Sequence, residues 1–256
     1  MAAPRAVTRP RALDRLSGPV WAIVPIASIV VVIFAIRYGS DTATGLTYLA
    51  LIAIPPLAAA ALGWFSRGSR PWFALIAVPL FIVAWAAKQS LAGEAAAALL
   101  SGLSCVTLGV LLGIVTPAGW LKLGIVAMAA ADTWLVISDL LQAPNATLVA
   151  AHPAGGLPKL QSEVFGSVTM GYGDLFVAAL LGAVFATEPR LQNVAAVLTF
   201  VVAGLFDLLF FVLNELPATV PVALVLIGIE AWRRRGWLSA WRRRSTPAVA
   251  TPPPEM

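Results

Sequence analysis

The chain has 256 residues, 60% of them hydrophobic and 11% charged, with a mean hydropathy of +0.89 and a formal net charge of +5. A water-soluble domain of this size is excluded, because apolar runs of about 18–25 residues recur, each long enough to cross ~30 Å of hydrocarbon. One cysteine, Cys105, excludes an internal disulfide, and a single histidine, His152, argues against a His/Cys metal cage.

In chain order, residues 1–18 form a basic tail with Arg5, Arg9, Arg11 and Arg15. Eight candidate spans follow, at roughly 19–36, 45–65, 71–87, 95–115, 120–141, 164–186, 191–213 and 216–232. The first reads as a retained span, since its long apolar run ends at "AIRYGSD" without a small-residue cleavage site. "AIPPLAAA" in the second reads as a kink. Residues 142–163 form the one long loop, rich in Pro, Gly and Asn, and its "LPKLQSE" is a candidate for re-entry into the interface. Residues 19–116 thus make an N-terminal four-helix region and 117–233 a second membrane region. Residues 234–256 form a basic, Pro-rich tail whose "STPAVATPPPEM" end reads as disordered. The expected fold is an all-α, polytopic transmembrane helical bundle.

The basic residues give the orientation. With both termini cytoplasmic, 14 of the 17 Lys and Arg residues fall inside, leaving Arg37, Lys88 and Lys159 outside. An even number of spans demands both ends on one side, and the positive-inside rule selects that same side. The charge is therefore a topology signal, and no nucleic-acid partner is expected. The Ala/Arg/Pro-rich, short-looped chain has a prokaryotic look, which points to the plasma membrane.

Four acids fall clearly inside spans: Asp132, Asp139, Asp174 and Asp207. Acids at membrane depth are costly, so each needs a partner or a hydrated cavity. Asp132 lies 12 residues past Trp120 on an outward-running span, ~18 Å deep at 1.5 Å per residue. Asp174 lies 10 residues past Val164 on the inward-running span, ~15 Å deep from the other face. Both sit near the midplane, on consecutive antiparallel helices. Asp139 and Asp207 lie nearer the outside, as possible secondary groups. Two facing carboxylates in a low dielectric share one proton, so that one activates a water while the other protonates the carbonyl under attack. Structural hydrogen bonding between helices is the plainer alternative.

Gly171, Asp174, Ala178 and Gly182 form a stripe of small residues that would admit a close neighbour, and Gly171 and Gly173 loosen the chain before the acid. Downstream, "NELPATVPVAL" carries Pro217 and Pro221. Pro221 is expected to leave the Pro217 carbonyl unpartnered, as backbone that could bind an unwound peptide as an added strand.

These segments resemble those of the GxGD-type intramembrane aspartyl proteases, the presenilin and signal peptide peptidase family. "MGYGDLFVAALLGAV" resembles the family's G-x-G-D segment, "AADTWLVISD" stands in the place of its Y-D segment, and "LPATVP" in that of its P-A-L motif. The likeness covers about residues 120–232, and the 42 residues from Asp132 to Asp174 are similar to the short-loop, signal peptide peptidase-like branch. It implies a presenilin-like fold and Asp132 and Asp174 as the catalytic pair. It also implies Gly171, Tyr172, Gly173, Pro217, Ala218 and Thr219 as active-site support, no cofactor, and transmembrane segments or signal peptides in the bilayer as substrates. Ala131 stands where the family has tyrosine, Thr219 where it has leucine, and one of the family's nine spans is missing.

The alternatives are a prepilin-type peptidase, a proton- or cation-coupled transporter or channel using the intramembrane acids, and a non-catalytic presenilin-like homologue. The apolar "DLFVAALLG" after Asp174 lacks the basic residue typical of prepilin peptidases, and no internal duplication supports a transporter. Oligomeric state is left open.

Overall fold

High hydropathy becomes helix almost throughout, as hydrocarbon demands of a backbone that must satisfy its own hydrogen bonds. The computed structural model describes residues 18–27, 30–31, 34, 40–138, 140, 142–165, 168–211 and 216–245. A 3₁₀ turn, Pro19–Ile23, leads the chain in. The main elements are α1 (Ser40–Ala60), α2 (Ala77–Ala86), α3 (Leu91–Val115) and α4 (Ala118–Ile137). After them come α5 (Gln142–Ala150), β1 (Ser162–Phe165), β2 (Val168–Gly171), α6 (Tyr172–Val184), α7 (Pro189–Asp207) and α8 (Val220–Ser245). Among the described residues, four helical segments are long and apolar enough to cross a membrane: Asp41–Phe65, Leu91–Val115, Ala118–Ile137 and Pro189–Phe211. Large apolar side chains cover the outside of the bundle, Phe200 at 81% and Phe211 at 89% exposure among them. Such a surface belongs in lipid, so the chain has the make-up of an integral membrane protein.

Two apolar cores share α3. One joins α1, α2 and α3 through Ile54, Ala58, Ala84 and Leu100. The other joins α4, α6 and α8 through Ile125, Met128, Val177, Leu180 and Leu226, with Leu112 of α3 at its edge. Between them α3 and α6 lie backbone to backbone. A Cβ on Gly109 would stand 2.9 Å from the Ala179 carbonyl oxygen, and one on Gly113 would stand 3.3 Å from the Ala183 Cβ. Close packing on small residues is therefore present, as membrane helices favour. It does not run along the expected stripe, however. Ala178 is exposed, a Cβ on Gly171 would meet the Asp174 carboxyl, and Gly182 faces Gln192.

Three further segments differ from expectation. The sixth span was expected to be helical from 164, yet Ser162–Phe165 and Val168–Gly171 are antiparallel strands, pairing Ser162 with Gly171 and Phe165 with Val168. β-branched and aromatic residues at Val164, Phe165, Val168 and Thr169, with a Gly-Ser pair between the runs, favour strand over helix there. The segment 157–162, a candidate for re-entry into the interface, runs deeper than that. Leu160 is fully buried in the α1–α3 core and its carbonyl accepts from Ser101 Oγ (3.2 Å), ten residues into α3 and so ~15 Å below its start. Neighbouring Gln161 Nε2 donates to the buried Thr47 Oγ1 (2.8 Å), and burial lowers the pKa of Lys159 from the usual lysine value. Thirdly, α8 runs on to Ser245, so the first part of the basic tail is helical. The expected disorder of the last residues concerns 246–256, which lie outside the described residues, as do residues 1–17.

Candidate active site

The basic end of the bundle sets the depth of everything else. Lys122 of α4 pairs with Glu230 of α8 (2.7 Å), and Arg233 of α8 with Glu188 before α7 (3.1 Å). Arg67 Nη2 donates to the Ala186 carbonyl just past α6 (2.9 Å). From this level α4 rises ten residues from Lys122 to Asp132, ~15 Å, and α6 descends ten from Asp174 to its end at Val184, ~15 Å. The two aspartates therefore lie at nearly one height, about half of a 30 Å core. Their helices pack against each other in one core, through Ile125 and Met128 of α4 and Val177 and Leu180 of α6. Both are half-buried.

Each carboxylate is held differently. Thr219 donates to Asp132 Oδ2 twice, from its hydroxyl (2.7 Å) and from its backbone N–H (3.3 Å). Thr219 itself is buried, in the turn that carries Pro217 and Ala218 into α8. Asp174 lies in the first turn of α6, where Oδ2 accepts from the Gly171 N–H (3.1 Å) and closes the N-terminus of its own helix. At 13 residues α6 is only ~20 Å long, too short to span. The outer part of its path is taken by the strand pair, which brings non-helical backbone to the level of the acids. Such backbone is tolerated at that depth only beside protein or a hydrated cavity.

Tyr172 turns away from the acids, its hydroxyl 2.7 Å from Ser104 Oγ, and Ser104 in turn donates to the Ser101 carbonyl (2.7 Å). The Pro217 carbonyl is not left unpartnered as expected, because the Val220 N–H closes an i→i+3 turn onto it (3.1 Å). That tighter turn replaces the helical bond that Pro221 cannot make. Asp207 stands exposed at the far end of α7, with no hydrogen bond or ion pair to another described residue, and so is apart from the other two. Asp139 lies outside the described residues. Among the described residues no group of three or more His, Cys, Asp and Glu side chains comes together.

Ser101, Ser104 and Thr107 were not singled out from the sequence, yet all three are buried and bonded on α3, Thr107 to the Leu57 carbonyl (2.7 Å). Their i, i+3, i+6 spacing in "SGLSCVT" was the available signal, a polar stripe in an otherwise apolar span. The chain matches no protein-family model, and the searches of curated proteins and of solved structures found no match.

Proposed function

We propose that the protein is an intramembrane aspartyl endopeptidase that hydrolyses peptide bonds within transmembrane segments or signal peptides, using Asp132 and Asp174. The supporting observation is the pair itself: two half-buried carboxyl groups at one depth, on α4 and α6, helices that pack together in one core. In this reading the chain makes eight spans in a presenilin-like arrangement, with both termini on the cytoplasmic side of a plasma membrane.

The chemistry follows from one proton held between two carboxylates. Asp132, which accepts two donors from Thr219, takes the ionised role and Asp174 the protonated one. Asp132 removes a proton from water as the oxygen adds to the scissile carbonyl carbon, and Asp174 gives its proton to the carbonyl oxygen. In the resulting diol, Asp132 passes its proton to the amide nitrogen and the C–N bond breaks. Asp174 recovers a proton from the diol hydroxyl, leaving acid, amine and the starting protonation state. Substrate must first be unwound, because a helical segment hides its carbonyls in its own hydrogen bonds. The open space beside Gly173 and the adjacent strand pair give an extended segment room beside the dyad.

The test is cleavage of a helical transmembrane substrate in proteoliposomes. Asp132→Asn and Asp174→Asn are each expected to lower the rate by roughly 10²–10⁴-fold, the contribution of positioned acid–base groups, with unchanged thermal stability. Wild-type-like cleavage by either variant overturns the assignment.

A further inference from the structure

α7 is the least enclosed of the four long apolar helices. At the basic end it does not close fully on α8, and a groove of about 760 Å³ remains between them. Its floor is Leu191, Val194 and Leu198 from α7 and Gly228, Ile229 and Trp232 from α8, with Arg190 at the rim beside Pro189 and Glu188, whose carboxylate is taken up by Arg233. From Leu198 to Arg190 the floor runs eight residues, ~12 Å, ending at the level of the ion pairs.

The charges at that end are unequal. Among the described residues both acids there have cations already, Glu188 on Arg233 (3.1 Å) and Glu230 on Lys122 (2.7 Å) with Arg233 also near (3.9 Å). Arg190, Arg234 and Arg235 are exposed and make no ion pair among the described residues. Arg235 stands three residues beyond Trp232, on the face of α8 that lines the groove. A tryptophan at this height marks the membrane–water interface.

We infer that this groove is a binding site for an anionic phospholipid of the leaflet at the basic end. One acyl chain lies between α7 and α8, and the phosphate sits at Arg190 with Arg235 one turn beyond. Charge complementarity selects this occupant. A second copy of the chain would present the same cation excess to it, and a zwitterionic lipid carries no net charge for the unpaired arginines to use. The site lies at the opposite end of α7 from Asp207 and is independent of the dyad.

The experiment is native mass spectrometry of the full-length protein in detergent, offered equal amounts of palmitoyl-oleoyl phosphatidylglycerol and phosphatidylcholine. Retention of phosphatidylglycerol is expected to exceed that of phosphatidylcholine by roughly 30-fold, about fivefold per arginine. Arg190→Gln with Arg235→Gln is expected to bring the ratio close to one. Val194→Trp, which fills the floor, is expected to lower retention of both lipids, and the arginine variants decide should that one misfold. Equal retention by the wild type overturns the proposal, and so does a preference that survives loss of both arginines. Val194→Cys cross-linking to a second copy in high yield, whatever lipid is added, equally overturns it by showing the groove filled with protein.

Discussion

Asp132 is held from outside its helix, whereas Asp174 is held from within its own. The first takes both its donors from Thr219, 87 residues away in the turn before α8, so its position depends on α4 and α8 staying docked. The second bonds to Gly171 three residues back, so its position depends on where α6 begins and on what fixes that helix. α6 is fixed chiefly by α3, through the Gly109–Ala179 and Gly113–Ala183 approaches and the Tyr172–Ser104 bond. The two carboxylates thus have two independent supports, and each can be removed without touching the other.

The largest effect is expected at the α3–α6 seam. A side chain on Gly109 meets backbone, with Ala179 O at 2.9 Å and its carbonyl carbon at 3.0 Å, so one helix must move. Gly109→Val is expected to cost about 1–3 kcal/mol as overpacking, seen as a lowered unfolding temperature in detergent together with lost cleavage. Gly102→Val, on the same helix with nothing within 4 Å, is the control and keeps near-native stability. Equal behaviour of the two variants breaks the claim that the seam positions Asp174.

On the other support the effect is one of rate. Thr219→Val keeps the shape and the backbone N–H but removes the 2.7 Å hydroxyl donor to Asp132. A hydrogen bond to a charged group is worth about 1.5–3 kcal/mol, so cleavage falls by roughly 10–100-fold while Thr219→Ser restores most of it. This result also bears on the family resemblance. The residue in the place of the motif's leucine would then serve the aspartate directly, so the departure alters how Asp132 is held without removing its support.

Tyr172→Phe sharpens the comparison at smaller scale. Ser104 keeps its bond to the Ser101 carbonyl, and the Tyr172–Ser104 bond is lost, at about 0.5–1.5 kcal/mol. Stability measured by denaturation is expected to fall by that amount, with a smaller loss of cleavage than in Thr219→Val.

Hydropathy made much of this legible. The depth of the two acids was read from span limits because helical rise is constant, a reading that needs unbroken helix, and α4 is unbroken from Ala118 to Ile137. On the α6 side the expected helix is replaced in its outer part by strand. Residues 162–171 are apolar enough to pass as span, and hydropathy alone does not separate a buried strand from a helix. The Gly-Ser pair between β-branched runs was the sign to weigh. The depth that Leu160 reaches, in a segment read only as a candidate for re-entry into the interface, and the bonds of Ser101, Ser104 and Thr107 were hidden for another reason. Uncharged polar residues raise no alarm in a hydropathy reading, and what they bond to is a tertiary matter.

The glycines beside Asp174 give the smallest effect and the finest separation. Gly171 and Gly173 look equivalent in "MGYGD", yet a Cβ on Gly171 would stand 3.3 Å from Asp174 Oδ2, while one on Gly173 meets nothing within 4 Å. Gly171→Ala therefore presses on the carboxylate, and cleavage is expected to fall even of a short, already extended peptide. Gly173→Ala presses on nothing within the protein, and alanine in a helix is favoured over glycine by roughly 0.5–1 kcal/mol, so stability holds or rises slightly. If substrate runs through the open space there, Gly173→Ala raises KM for a transmembrane substrate with kcat little changed, and Gly173→Leu does so more strongly. A Gly173→Leu enzyme with native KM would place the substrate path elsewhere, leaving Gly173 with only the backbone role its position in the first turn of α6 allows.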